Sequence, residues 1–166
     1  MWISKVGDRL EFFIKYMSTF LLFSALLIGV IEVFCRYILG ISHTWGEEIV
    51  IYTSLYSIYL MMGLATRHNE HIAIDFLVRD RTVRFKTILT WFTEWLGLSV
   101  AIFLLALSSI MVIQARNSGM VSYSDLETPI WIYKLSFPIG FLILTFYHIE
   151  KVFKLIHSSI KKQKEI

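Results

Sequence analysis

A chain of 166 residues in which 56% are apolar, 16% aromatic and only 17% charged is too poor in charge for a soluble domain of its size. The mean hydropathy is +0.63, and the apolar residues fall in blocks of about 20 or more, the length a helix needs to cross a bilayer. A net charge of +3 does not point to nucleic acid, because lysine and arginine stand at the ends of the apolar blocks, and the single cysteine, Cys35, excludes an internal disulfide and paired CxxC thiol chemistry.

Residues 1–15 carry Ile3, Val6, Leu10 and Phe13 at helical spacing, with Lys5, Asp8, Arg9 and Glu11 on the other side. That pattern predicts an amphipathic helix lying in the membrane interface. No cleavable signal peptide is expected. The apolar block that begins near Tyr16 is too long for one and carries Glu32 and Arg36 where a cleavage site would fall. The first span is predicted over 16–39, with Gly40 as its stop. The second covers 47–66, just after Trp45 and Gly46, and a connector follows over 67–82. The third is predicted over 83–114 and the fourth over 129–156, with a charged tail at 157–166. Pro129 suits the first turn of the fourth span, whereas Pro138 inside it removes a backbone hydrogen bond and predicts a kink.

Loop charge predicts the sidedness. The connector between spans two and three holds Arg67, Arg79, Arg81, Arg84 and Lys86, and both ends of the chain are rich in lysine. The loop between spans one and two has no Lys or Arg between Arg36 and Arg67, and the loop between three and four holds Asp125 and Glu127. The positive-inside rule therefore predicts both termini and the connector in the cytoplasm. The expected fold is an all-α membrane protein: four transmembrane helices, a leading interfacial helix, and a single domain.

Charges inside spans are the first candidates for function, because each costs about 2.5–3.5 kcal/mol at mid-bilayer on insertion scales. Glu32 and Arg36 stand four apart on one helix face and can pair with each other, or Arg36 can reach Glu47 or Glu48. Trp45 suits the membrane surface, and Glu47 and Glu48 suit the positive end of a helix. Adjacent acids beside an arginine also make a docking surface or a salt-bridge clasp. Arg67, His68, Glu70, His71 and Asp75 follow the second span, where solvated histidines are a simpler account than a metal site. Glu94, flanked by Trp91 and Trp95, is expected to bond to a neighbouring helix, and Lys134 to snorkel outward. His43 falls towards one side and His148 and His157 towards the other, so no matched pair is expected to hold haem. The sequence has no nucleotide loop, Ser-His-Asp set or thiol pair, and neither an enzyme nor a cofactor in this chain is expected.

The order Arg36-Tyr37, Trp45-x-Glu47-Glu48, Gly63-x-Ala65-x-Arg67, His71-Ile72-x-x-Asp75 and Pro138-Ile-Gly-Phe141 resembles the small membrane subunit of tripartite ATP-independent periplasmic (TRAP) transporters. The resemblance covers nearly the whole chain. It implies a scaffold in the bacterial inner membrane that pairs with a large multi-span subunit carrying substrate and sodium. A soluble periplasmic binding protein would deliver organic acids such as sialic acids or C4-dicarboxylates. Sodium coupling would then sit in the large partner. Glu32, Arg36, Trp45, Glu47, Glu48, Arg67, His71, Asp75, Asp125 and Glu127 become the candidates for holding the helices or meeting the partners, with membrane lipids around them. Two other readings remain. One is the membrane anchor of a respiratory or quinone enzyme. The other is a small self-sufficient transporter, with Glu32 or Glu94 as its central carboxylate.

Overall fold

The computed structural model describes residues 2–41, 43–67 and 83–164, with side chains over 7–41, 43–67 and 88–156. His71 and Asp75, with the rest of the 68–82 connector, lie outside the described residues. Five helices are described. Helix α1 is Trp2–Phe34, ending in a π-helical turn, Cys35–Leu39; α2 is Thr44–Arg67, α3 Val83–Ser118, α4 Ile130–Lys134 and α5 Ser136–Lys164. Four stretches among the described residues are long and apolar enough to cross a membrane: Gly7–Leu39, Thr44–Arg67, Ile88–Ser118 and Ile130–Ile156. The segment before residue 16 and the span after it form one continuous helix, with no break at residue 15.

The helices stand in a row rather than a closed bundle. Helix α1 packs on α2, α2 on α5, and α5 on α3, while among the described residues α1 and α3 make no substantial contact with each other. The row closes slightly at one end, where Gly7 of α1 comes against Glu150 of α5. The core is correspondingly small: Ile14, Leu64, Ile143 and Tyr147, from α1, α2 and α5. Most other large apolar side chains, Phe20, Leu26 and Phe103 among them, face outward. Lipid tails are as apolar as leucine, so burial alone does not hold such helices together; close backbone approach and polar links do. Gly63 and Gly140 supply the approach between α2 and α5. A Cβ on Gly140 would stand 2.7 Å from the Tyr59 carbonyl oxygen, and one on Gly63 2.5 Å from Ile143 Cγ2. The polar link between α1 and α2 is reciprocal. Ser18 and Ser57, both buried, each donate to the other's carbonyl at 2.9 Å.

Each span ends for a local reason. Gly40 adopts φ +68° and its N–H bonds the Cys35 carbonyl, so the chain leaves α1 through the left-handed region that glycine enters without strain. Pro138 has no N–H to give the Lys134 carbonyl, and its ring crowds that carbonyl. The fourth span accordingly breaks at Leu135 into α4 and α5. Pro129 stands as the residue before α4, in extended conformation, one position earlier than the first-turn place expected. The loop between α3 and α4 folds back on itself through a bridge between Val121 and Pro129 and a 2.8 Å bond from Ser122 N–H to the Thr128 carbonyl.

Candidate functional site

Polar side chains gather at the two ends of the row. At the first end, Arg36 pairs with Glu47. The π-helical turn carries Arg36 and helps aim it across to the start of α2. Glu32 meets the turn between α1 and α2. It is buried, accepts a 2.8 Å bond from His43 N–H, and stands 3.5 Å from His43 Nδ1. It also lies against Gly46, where a Cβ would meet its Oε2 at 2.9 Å. Glu48 is buried and accepts from Tyr52 and from Ser124 of the α3–α4 loop. Thr44 donates to Asp125 at 2.6 Å, and the Asp125 N–H returns a bond to Thr44 at 3.2 Å. Glu127, in the same loop, has φ 44°. Trp45 is partly exposed and sits 5.5 Å from the His43 ring. So Glu32, Arg36, Trp45, Glu47, Glu48 and Asp125 come together, with α2's first turn as the hub.

Behind this end, Tyr56 donates to the Ile132 carbonyl at 2.6 Å, beside the break that Pro138 causes, and Tyr52 stacks on Tyr133 at 5.3 Å. The aromatic face of α2 thereby holds the short α4 in place.

At the opposite end, Arg67 closes α2 and is surrounded by carboxylates. It donates to Asp8 and Glu11 of α1, stands 3.6 Å from Glu150 of α5, and lies over the Tyr147 ring at 5.5 Å. Lys154 reaches Glu150 at 2.7 Å. One arginine thus ties together three helices. The sequence singled out Arg67 but not Asp8, Glu11 or Glu150 as its partners. The available signal was acid opposite base at matching depth in three spans.

At this same end, on the side of α5 that packs against α3, Glu94 of α3 bonds His148 Nδ1 at 3.0 Å and meets Lys151 Nζ at 3.4 Å, both on α5. The His148 ring packs onto Gly97, where a Cβ would stand 2.5 Å from Cε1. Glu94 therefore does bond a neighbouring helix, and that polar link fastens the edge helix α3 to the row. Among the described residues no group of three or more His, Cys, Asp or Glu has metal-holding geometry.

The family model for tripartite ATP-independent periplasmic transporters, DctQ component, matches residues 25–158. The chain belongs to that family. The DctQ match takes in the Arg36–Glu47 clasp and Arg67 with Glu150, while Asp8 and Glu11 lie before it. No curated protein matches the chain. A DctQ component is part of a transporter and not an enzyme, and its tripartite setting implies a large membrane partner and a binding protein.

Proposed function

We propose that this chain is the scaffold subunit of a sodium-coupled transporter for organic acids, such as sialic acids or C4-dicarboxylates, in a bacterial inner membrane. Substrate and sodium belong to the large multi-span partner; this chain widens and anchors that partner's static part. The observation that supports this reading is the open row. Helices α1, α2 and α5 stand side by side and carry exposed apolar side chains, which leaves surface for a larger neighbour to bind side-on. The distribution of arginine and lysine supports both termini lying in the cytoplasm. The end bearing Trp45, Glu47, Asp125 and Glu127 then faces the periplasm, where its acids meet the binding protein.

Purification from native membranes tests the scaffold role. A large multi-span permease is expected to co-purify with this chain, and its absence under mild detergent would count against the reading. Docking is tested separately. Asp125→Lys with Glu127→Lys is expected to cut binding-protein-dependent uptake several-fold while membrane levels stay normal; unchanged uptake rejects that face as the dock. The respiratory-anchor reading gains no support from His148, which is engaged by Glu94 and packed on Gly97.

A further inference from the structure

A cleft of about 560 Å³ opens between the start of α2 and the α3–α4 loop. Glu47, Glu48 and Tyr52 line it from α2, Ser122 and Tyr123 from the loop, and Tyr133 from α4. Glu48 is buried, whereas Glu47 and Tyr123 are exposed, so one carboxylate lies at the floor and another, with an aromatic ring, at the rim. Between floor and rim the walls are carbon: Ile51, Ile130 and the rings of Tyr52 and Tyr133, which stack at 5.3 Å. The loop stands beyond the ends of the spans at Ser118 and Ile130, which puts the cleft at the membrane surface rather than among lipid tails. Among the described residues that line it there is no lysine, arginine or histidine. Arg36 pairs with Glu47 from the α1 side, with Glu32 also acting on it, and Arg116 lies over the Trp131 ring. Five carboxylates, Glu32, Glu47, Glu48, Asp125 and Glu127, stand at this end against Arg36, Arg116 and Lys134, so it stays acidic even with His43 charged.

We propose that this cleft receives a lysine or arginine side chain from the periplasmic binding protein. The inference rests on the docking reading above and names the contact within it. A basic side chain matches both parts of the lining. Its carbon stem lies along Ile51, Ile130 and the two stacked rings, as such stems do on apolar surface, and its head meets the carboxylates. Tyr123 at the rim adds an aromatic face that attracts the same cation. The other occupants fit less well. An acidic side chain is repelled, and an apolar one would cover Glu47 and Glu48 without giving their carboxylates a donor. A small free cation gains nothing from the carbon walls. A membrane helix would have to approach past Asp125 and Glu127, both exposed in the same loop. Asp125 extends the acidic rim through its bond with Thr44, which also lines the cleft.

The test uses the full chain in complex with its large membrane partner, held in nanodiscs and titrated with the transporter's purified binding protein. Ser122 lines the cleft and carries no charge, so it can be given either sign. Ser122→Arg, which places a cation of the chain's own in the cleft, is expected to weaken binding about tenfold. Ser122→Glu adds comparable bulk with the opposite charge and should bind at least several-fold tighter than Ser122→Arg. Equal affinities for these two variants overturn the proposal while leaving the docking reading in place, because bulk alone, or nothing, would then matter there. If the unaltered complex does not bind the binding protein at all, the docking reading fails and this contact with it. A photo-cross-linker, p-benzoylphenylalanine in place of Tyr123, tests the contact without altering any charge. Its adduct is expected on a binding-protein peptide that contains a lysine or arginine. An adduct with the large membrane partner instead overturns the proposal, since that subunit would then cover the cleft.

Discussion

Glu32 Oε2 occupies the space that a side chain at residue 46 would take, so any larger residue in place of the glycine in Trp45-Gly-Glu-Glu48 must displace that carboxylate. Gly46→Val should push the buried carboxylate away from the His43 N–H and loosen the turn between α1 and α2. The expected loss is about 1–3 kcal/mol, the usual range for overpacking, read as a lower melting temperature in detergent; an unchanged melt means Glu32 relocates freely. Arg67 is the more sensitive residue. Arg67→Gln removes the cation that Asp8, Glu11 and Glu150 share. Breaking a buried pair costs about 3–5 kcal/mol, and the lower end applies because Asp8 is 64% exposed. Arg67→Lys keeps the charge but not the fork that bonds two carboxylates at once, and should recover part of the loss. The measurement is thermal unfolding of the three proteins side by side. Sequence alone brought Arg36 within reach of Glu47 and Glu48 without choosing between them. Glu48 is instead engaged by Ser124, 76 residues away, a contact that no spacing rule encodes.

At the scale of elements, the break in the fourth span follows from one proline. Pro138→Ala restores an N–H opposite the Lys134 carbonyl and should join α4 and α5 into one helix. The join would pull Ile132 away from Tyr56 and Tyr133 from Tyr52. Spin labels at Leu126 and Ile156, both exposed, should report a longer and narrower distance distribution; an unchanged distribution means the loop, not the proline, sets the bend. The crossing of α2 and α5 is tested by Gly140→Leu, whose Cβ meets backbone at Tyr59 and cannot be accommodated by a rotamer change. The expected result is loss of folded protein from the membrane. The apolar blocks and Pro138 were readable in the sequence because length and a missing donor are local properties. Helix partners were not. Gly63, Gly97 and Gly140 sit in apolar runs like any others, and only the crossing shows which neighbour each admits.

For the whole molecule, sidedness is the property on which the proposed docking face depends. Tyr123 is fully exposed in the α3–α4 loop. In a Cys35→Ser background, Tyr123→Cys should react with a membrane-impermeant maleimide added to intact spheroplasts. Reaction only after lysis would invert the orientation. The ion pairs agree with alternating spans: Asp8, Arg67 and Glu150 meet at one end, and Arg36, Glu47 and Asp125 lie at the other. Composition and block length made a four-span chain legible, but not that the spans stand in a row. Hydrophobic patterning cannot separate a row from a bundle in lipid, because both leave apolar side chains outermost.

The position of α3 at the edge of that row has a consequence for synthesis. Its contacts among the described elements are with α4 and α5, both of which follow it in the chain. When α3 leaves the insertion machinery, the helices that will hold it have not yet been made. It must reside in lipid as a solitary segment, with Glu94 waiting for His148 and Lys151. Its stretch Ile88–Ser118 is the most apolar of the four spans, and α2 and the fourth span, which end up in the middle, are the least. The ranking follows how long each segment stands without protein neighbours as much as how much of it is finally covered. A polar residue added to the outer side of α3 would therefore cost first at insertion, before any packing contact is at stake.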